Sequence, residues 1–168
     1  MIKINEKTYK NNLALIRKHP YGIKILNTIN LVSPALIYII YPLYLLILGF
    51  KGDSRFWKLL LIPGISFVLL SVVRKWINAP RPYEVFDIIP IINKDTKGSS
   101  FPSRHVFSAF IIAMTLYYIS MPMGIFLMFL GTLLGIIRVL AGVHFPRDVI
   151  VGGIMGILIG ILAWNIVA

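Results

Sequence analysis

GIFLMFLGTLLGIIRVLAGVHFPRDVIVGGIMGILIGILAWNIVA, residues 124–168, is the stretch from which the architecture can be read. Its formal charges, Arg138, Arg147 and Asp148, gather with His144 at the centre, and an apolar run extends on either side. Each run approaches the ~20 residues that a helix needs to cross a bilayer. The stretch therefore reads as two spans, about 124–140 and from about 146 to the C-terminus, joined by a short polar turn. Pro146 suits the first position of the second helix, where a missing N–H costs nothing. Gly131 and Gly135 in the first span, and Gly152, Gly156 and Gly160 in the second, recur at four-residue spacing. Such a ridge lets helix backbones approach closely; the reading is packing inside the protein, with a dimer interface as the second choice.

Working outward, a turn at 121–123 precedes the run 124–140, and a further span lies at about 105–120. Spans at about 56–73 and 29–50 precede it, the latter interrupted by Pro34 and Pro42, which membrane helices tolerate when neighbours satisfy the freed carbonyls. Tyr38, Tyr41 and Tyr44 share one flank and are expected to pack. Trp57, Trp76 and Trp164 fit aromatic belts. Residues 5–18 are expected to form an amphipathic helix capped by Asn5, with Tyr9, Leu13 and Ile16 on one face, ended by Pro20 and Gly22, the alternative being a flexible tail. Its expected place is the membrane surface. Between 74 and 104 lies the longest polar stretch, with prolines 80, 82, 90 and 102. It reads as irregular, with 85–92 apolar enough to dip into the interface and a loop at 94–100. The expectation is an all-α polytopic membrane helical bundle of about five transmembrane helices. Residues 1–28 would form an N-terminal surface segment and residues 29–168 the transmembrane domain.

Composition supports this class. The 168 residues are 58% hydrophobic, with a mean hydropathy of +0.83, more apolar surface than a soluble domain of this length can bury. There is no cysteine, which excludes disulfides, thiol nucleophiles and thiolate metal sites. A net charge of +11 suggests nucleic acid in a soluble protein. In a membrane chain it reads instead as basic loops against anionic headgroups, so no nucleic-acid partner is expected. The six acidic residues, Glu6, Asp53, Glu84, Asp87, Asp95 and Asp148, form no cluster for magnesium or calcium. His19 is remote from the other histidines, so neither a metal nor another cofactor is expected. The first 28 residues are basic and lack the continuous apolar stretch of a signal peptide.

Five spans joined by turns place the end of the second (Arg74), the start of the third (His105), the end of the fourth (Arg138) and the start of the fifth (Asp148) on one membrane face. Three stretches thereby meet: RKWINAPRP at 74–82, FPSRH at 101–105 and RVLAGVHFPRD at 138–148. Charge at membrane depth is costly and marks function. Asp148, in the first turn of its helix, can reach back to His144. A carboxylate on one imidazole nitrogen fixes the tautomer and leaves the other nitrogen basic, as a nucleophile or general base requires. The competing reading is a helix cap favoured by the dipole. Ser103 and His105 stand at a helix start, where N–H groups attract anions, and His105 can protonate a leaving oxygen. The competing reading makes Ser103 a cap. Arg74, Arg81 and Arg138 can fork onto phosphate oxygens. Lys75 and Arg147 read more simply as snorkelling side chains, unlike Arg138, which lies between Ile137 and Val139. Jointly these residues supply nucleophile, orienter, acid and oxyanion clamp for phosphoryl transfer through a covalent intermediate.

The three stretches resemble the type 2 phosphatidic acid phosphatase family, membrane lipid phosphatases related to vanadium haloperoxidases. The family pattern K-x6-RP, PSGH, SR-x5-H-x3-D is matched here by R-x6-RP at Arg74 to Pro82, PSRH at Pro102 to His105, and IR-x5-H-x3-D at Ile137 to Asp148. The likeness spans about 74–153. It implies that His144 attacks phosphorus to give a phosphohistidine, that Asp148 supports it, and that His105 protonates the leaving group. Arg74, Arg81, Ser103 and Arg138 would hold the phosphoryl oxygens without a metal. Arg74 stands where the family has lysine, and Lys75 can share its task. Arg104 replaces glycine: its backbone N–H can still bind phosphate while its side chain points away or joins the clamp. Ile137 replaces serine. The implied substrate is a lipid phosphate such as undecaprenyl diphosphate, phosphatidic acid or phosphatidylglycerol phosphate. The implied location is a cell membrane, with the site on the extracytoplasmic face. The basic N-terminus lies on the site's own side, and the positive-inside rule would make that side cytoplasmic. The alternatives are a small transporter or an anion-binding membrane protein without catalysis, such as an inactive scaffold. A transport path needs polar residues deep in several spans, and these spans have almost none. Oligomeric state is left open.

Overall fold

The computed structural model describes residues 5–92 and 96–166. The start of the 94–100 loop and residues 167–168 of the last span lie outside the described residues. All regular elements among the described residues are helices: α1 (Glu6–Lys18), α2 (Gly22–Phe50), α3 (Arg55–Ile77), α4 (Pro82–Val85), α5 (Arg104–Tyr117), α6 (Met121–Leu140) and α7 (Pro146–Ile166).

Helix α1 starts where the Asn5 side chain accepts the Thr8 N–H at 3.0 Å, satisfying one of the orphan donors of the first turn. Helix α2 begins at Gly22, well before the apolar run at 29, and carries Pro34 and Pro42 inside it. Lys24, Asn27 and Asn30 lower the hydropathy there without breaking the helix. Helix α3 ends on Asn78 in the left-handed region (φ 44°), a conformation that asparagine tolerates as a helix stop.

Four helices, α2, α3, α6 and α7, are long and apolar enough to cross a membrane, and the chain is a multi-pass membrane protein. Helix α5 is shorter, 14 residues, or about 21 Å at ~1.5 Å per residue. Its length follows from its position. Phe107, Ile111, Ala113 and Leu116 are buried, and α5 runs through the middle of the bundle against α3, α6 and α7. A helix sheathed by protein has no lipid-facing stripe to match to the hydrocarbon thickness.

Glycines make that sheath tight. A Cβ on Gly156 would fall 2.8 Å from Phe110 Cβ and 2.9 Å from the Phe107 carbonyl oxygen, and one on Gly160 would fall 2.7 Å from Met114 Cβ. From α6, a Cβ on Gly131 would meet Ala109 Cβ at 3.2 Å. Both ridges are therefore spent on α5. Tyr41 donates to the Leu59 carbonyl at 3.0 Å, tying α2 to α3, whereas Tyr38 is exposed.

The apolar stripe of α1 is turned to the protein. Tyr9 and Leu13 are buried, while Leu15, Arg17 and Lys18 remain outside. Beneath lies a small cluster of Leu26, Ile137, Ala141 and Val143, with Ile16 against it. Helix α1 thus sits over the polar end of the bundle.

Candidate active site

Of the buried polar and charged side chains among the described residues, all but Ser33 and Thr115 gather at this polar end: Arg74, Arg81, Ser100, Ser103, Arg138, His144 and Asp148. Each reaches it from a helix end or an adjoining loop. The α6–α7 connection is held by Val143 and His144 N–H groups donating to the Arg138 carbonyl at 3.2 and 3.3 Å. Gly142, at φ +78°, makes the turn, a conformation available to glycine at little cost. Pro146 then starts α7, so Asp148 falls in its first turn.

The Asp148 carboxylate reaches back. Its Oδ2 lies 3.5 Å from His144 Nδ1, accepts the Phe145 N–H at 3.0 Å and accepts the Ser100 hydroxyl at 2.5 Å. Ser100 Oγ also lies 3.3 Å from His144 Nδ1. Nδ1–H can thus be held by the serine oxygen and the carboxylate together, which leaves Nε2 with its lone pair. His144 is 1% and Asp148 0% exposed. Burial pulls the imidazole down to about 4, against the upward pull of its hydrogen bond to Asp148, while the Arg81 and Arg138 charges lower it further. The ring is accordingly neutral at working pH, as a nucleophile must be.

Ser100 is a member that the sequence reading passed over. It sits in an irregular loop, and its partners lie 44 and 48 residues away, so no periodicity could mark it. Its place is fixed by the Ser100 N–H donating to the Ala79 carbonyl at 2.8 Å.

The arginines divide by task. Both Arg74 terminal nitrogens donate to loop carbonyls, those of Pro102 and Ser99. The guanidinium fork holds two acceptors at once, which a lysine's point charge would not do in the same way. Arg81 Nε donates to the Gly98 carbonyl at 3.1 Å and Nη1 to the Val143 carbonyl at 3.3 Å. Glu84 secures the other end of this arch, taking the N–H groups of Arg81 at 2.8 Å and Gly98 at 2.9 Å. Arg138 is different: it is 4% exposed, and its Nε and Nη1 have no hydrogen-bond partner among the described residues. A buried, unsatisfied guanidinium is costly, and an anionic ligand would satisfy it.

Ser103 stands at the N-cap of α5 without making a side-chain cap hydrogen bond. Its hydroxyl is buried and unpartnered among the described residues, while its N–H donates to the Asp148 carbonyl at 2.8 Å. The capping alternative therefore does not describe Ser103. His105, half-buried in the first turn of α5, lines a crevice with Pro34, Tyr38 and Ser108. The structure does not bring the Lys75 side chain into the cluster. Lys75 is exposed, a third of a turn round α3 from buried Arg74. The Arg104 guanidinium lies over the Phe67 ring at 5.4 Å. Arg147 is exposed over the Phe145 ring at 5.3 Å. Ile137, where the family has serine, packs in the apolar cluster under the site.

The result is three buried guanidiniums against one buried carboxylate, beside a neutral histidine. An apolar groove of about 440 Å³ runs from Leu140 and Pro146 to Gly153 and Ile157 between α6 and α7, and Leu140 and Pro146 stand two residues in sequence from Arg138 and His144 respectively.

Comparison with known proteins places the chain in a family. The family model described as PAP2 superfamily matches residues 55–168. The chain is 29% identical over 126 residues, 73% of its length, to the undecaprenyl-diphosphatase BcrC of Bacillus subtilis (strain 168), and the match covers 65% of that protein. It spans less than two thirds of the length of the curated relatives it matches, 48% and 64% for two others. The crystal structure of Aquifex aeolicus LpxE is similar with a TM-score of 0.75 and 26% identity, covering 98% of this chain and 96% of that one. The PAP2 type phosphatidylglycerolphosphate phosphatase from Bacillus subtilis shares the fold, with a TM-score of 0.73 and 23% identity over 95% of this chain and 82% of that one.

Proposed function

The chain belongs to the PAP2 superfamily, and from that premise we propose that it is a membrane lipid phosphatase whose nucleophile is His144. The substrate is a long-chain lipid phosphate, undecaprenyl diphosphate foremost, with phosphatidic acid and phosphatidylglycerol phosphate as the further choices. The observation that carries this reading is the excess of buried positive charge around a neutral histidine, with Arg138 Nε and Nη1 unsatisfied. A phosphoryl group supplies the missing anion. The apolar groove between α6 and α7, the two helices that carry Arg138 and Asp148, supports a substrate whose chain stays in the bilayer, and the likeness to an undecaprenyl-diphosphatase supports the choice of lipid.

In the first step, His144 Nε2 attacks phosphorus in line with the leaving oxygen. A P–N bond forms, the P–O bond to the lipid or lipid phosphate breaks, and His105 gives that oxygen a proton. Asp148 and Ser100 hold Nδ1–H and stabilise the positive charge that develops on the ring. Arg138, the Ser103 hydroxyl and the N-terminus of α5 receive the phosphoryl oxygens. Arg74 and Arg81 add positive potential while bracing the loop that carries Ser99 to Pro102. In the second step, water gives a proton to His105 and its oxygen to phosphorus, the P–N bond breaks, and phosphate leaves.

The test uses purified protein in detergent with excess EDTA and radiolabelled undecaprenyl diphosphate. Phosphate release continues in EDTA, and an acid-labile, base-stable phosphoryl group is trapped on the protein. His144→Ala loses turnover and the trapped label while keeping its melting temperature. Full turnover in that variant would refute the nucleophile. Release abolished by EDTA and restored by a divalent cation would refute the metal-free route.

A further inference from the structure

The family match begins at residue 55, yet one contact to the nucleophile's own residue comes from far outside it. Tyr9 of α1 donates its hydroxyl to the His144 carbonyl at 2.9 Å, across 135 residues of sequence. Both residues are 1% exposed. The other polar groups around this turn are held from elsewhere. Val143 N–H and His144 N–H go to the Arg138 carbonyl, the Ala141 carbonyl accepts the Ile91 N–H at 3.0 Å, and the Val143 carbonyl accepts from Arg81. The His144 carbonyl takes its donor from α1.

The Tyr9 ring is seated as closely as its hydroxyl. Its centroid is 5.9 Å from that of Phe86 and 6.2 Å from that of Phe145, and Phe86 and Phe145 meet edge to face at 5.9 Å. Phe145 is the residue whose N–H holds Asp148 Oδ2. Tyr9 therefore braces the nucleophile on one side and the residue that anchors its carboxylate on the other. The rest of α1 continues the clamp. A Cβ on Gly142 would lie 3.7 Å from Leu13 Cδ1, and Arg17 Nη2 donates to the Ile89 carbonyl at 2.6 Å. Burial, and behind it the Asp148 charge, push the Tyr9 phenol well above its ordinary value, so it remains a donor.

We infer that Tyr9 is a positioning residue for His144, and that α1 straps the 141–145 turn so that Nε2 stays aimed at phosphorus. The carbonyl and the ring belong to one residue, so a donor that fixes the His144 peptide plane also limits the swing of the imidazole. A sub-ångström error in aim is expensive for an in-line displacement. The inference rests on the phosphatase reading for its kinetic consequence but not for its structural one.

Tyr9→Phe is the decisive variant, because it removes the hydroxyl and keeps the ring in its aromatic seat. It is expected to lower kcat about tenfold with KM nearly unchanged, since the cost falls on aim rather than on lipid binding. Its melting temperature should fall by no more than a few degrees, the cost of one buried carbonyl left without its donor. Amide hydrogen exchange followed by mass spectrometry should speed up in the peptide covering 141–145, and not in α5 or α7. Parent-like kcat together with parent-like exchange in that peptide would overturn the inference. So would a uniform rise in exchange through the bundle, which would make Tyr9 a general prop. A parent protein that released phosphate from no lipid phosphate would refute the phosphatase reading. The exchange comparison would then decide the strap by itself, for it if only 141–145 loosens and against it otherwise.

Discussion

Ser100 and His144 set the geometry of the proposed site at the level of single side chains. The Ser100 hydroxyl lies between His144 Nδ1 at 3.3 Å and Asp148 Oδ2 at 2.5 Å, closer to each than they are to one another at 3.5 Å. Orientation of the imidazole is therefore shared between a serine and a carboxylate. Ser100→Ala removes the donor to Oδ2 and the nearer acceptor for Nδ1–H. A hydrogen bond to a charged group is worth ~1.5–3 kcal/mol, so kcat should fall about 10- to 100-fold, with KM nearly unchanged. Parent-like kcat would mean that Asp148 orients the ring unaided. The protonation state of His144 can be read directly. Its pKa is lowered, so the ring stays neutral as pH falls through ~6.5, the ordinary histidine value, and takes its proton only near 4. With only 3 histidines in the chain, ¹⁵N-histidine spectra compared with those of His144→Ala assign the signal. A midpoint at or above 6.5 would contradict the buried neutral ring. His144 and Asp148 were legible because spacing along a helix start is local information. Ser100 and Tyr9 were not, because their partners lie 44 and 135 residues away and both sit in segments whose pattern admits a blander use.

At the scale of elements, α5 is the axis on which everything else is built. Its start carries Ser103 and His105, and its sides take the glycine ridges of α6 and α7. Adding a methyl to that ridge should cost stability although alanine favours a helix over glycine by ~1 kcal/mol. On Gly156 the new Cβ would meet the Phe107 carbonyl and the Ile111 nitrogen at 2.9 and 3.0 Å, main-chain atoms that cannot step aside. Gly156→Ala is thus expected to lower the melting temperature, by an overpacking cost of ~1–3 kcal/mol. Gly64→Ala on α3, where nothing lies within 4 Å, should keep or raise it. Equal effects from the two would remove close packing as the reason for the ridge. The ridge and the apolar runs were visible in the sequence because both are periodic. The start of α2 at Gly22 was not, since hydropathy marks where charge stops rather than where the backbone turns helical. Nor was the direction of the α1 stripe: Tyr9 and Leu13 would suit a membrane surface or a protein surface equally well by composition, and tertiary packing chose the protein.

For the whole molecule, the open question of chemistry is which face of the membrane the site serves. The turn between α2 and α3 lies at the end of the bundle away from the site, with Lys51, Arg55 and Lys58 near it, whereas α1 with Lys7, Lys10, Arg17 and Lys18 lies at the site's end. Counted naively, the positive-inside rule turns the site to the cytoplasm. Some of the positive charge at that end is spent, however. Arg74, Arg81 and Arg138 are buried, Arg17 binds the Ile89 carbonyl, and Lys10 pairs with Glu6 at 2.6 Å. Charge committed to a ligand site or to internal partners bears less on orientation than charge free at a headgroup. Lys7, Lys18, Lys24, Lys75, Lys97, Arg104 and Arg147 still leave that end the more positive, so the extracytoplasmic face is predicted from the family resemblance alone and against the charge count. The chain has no cysteine, so single cysteines report without background. Asn11→Cys on exposed α1 should react with a membrane-impermeant maleimide in intact cells, and Lys51→Cys only after permeabilisation. The reverse pattern would put the site in the cytoplasm and restore the plain charge count as the orienting signal.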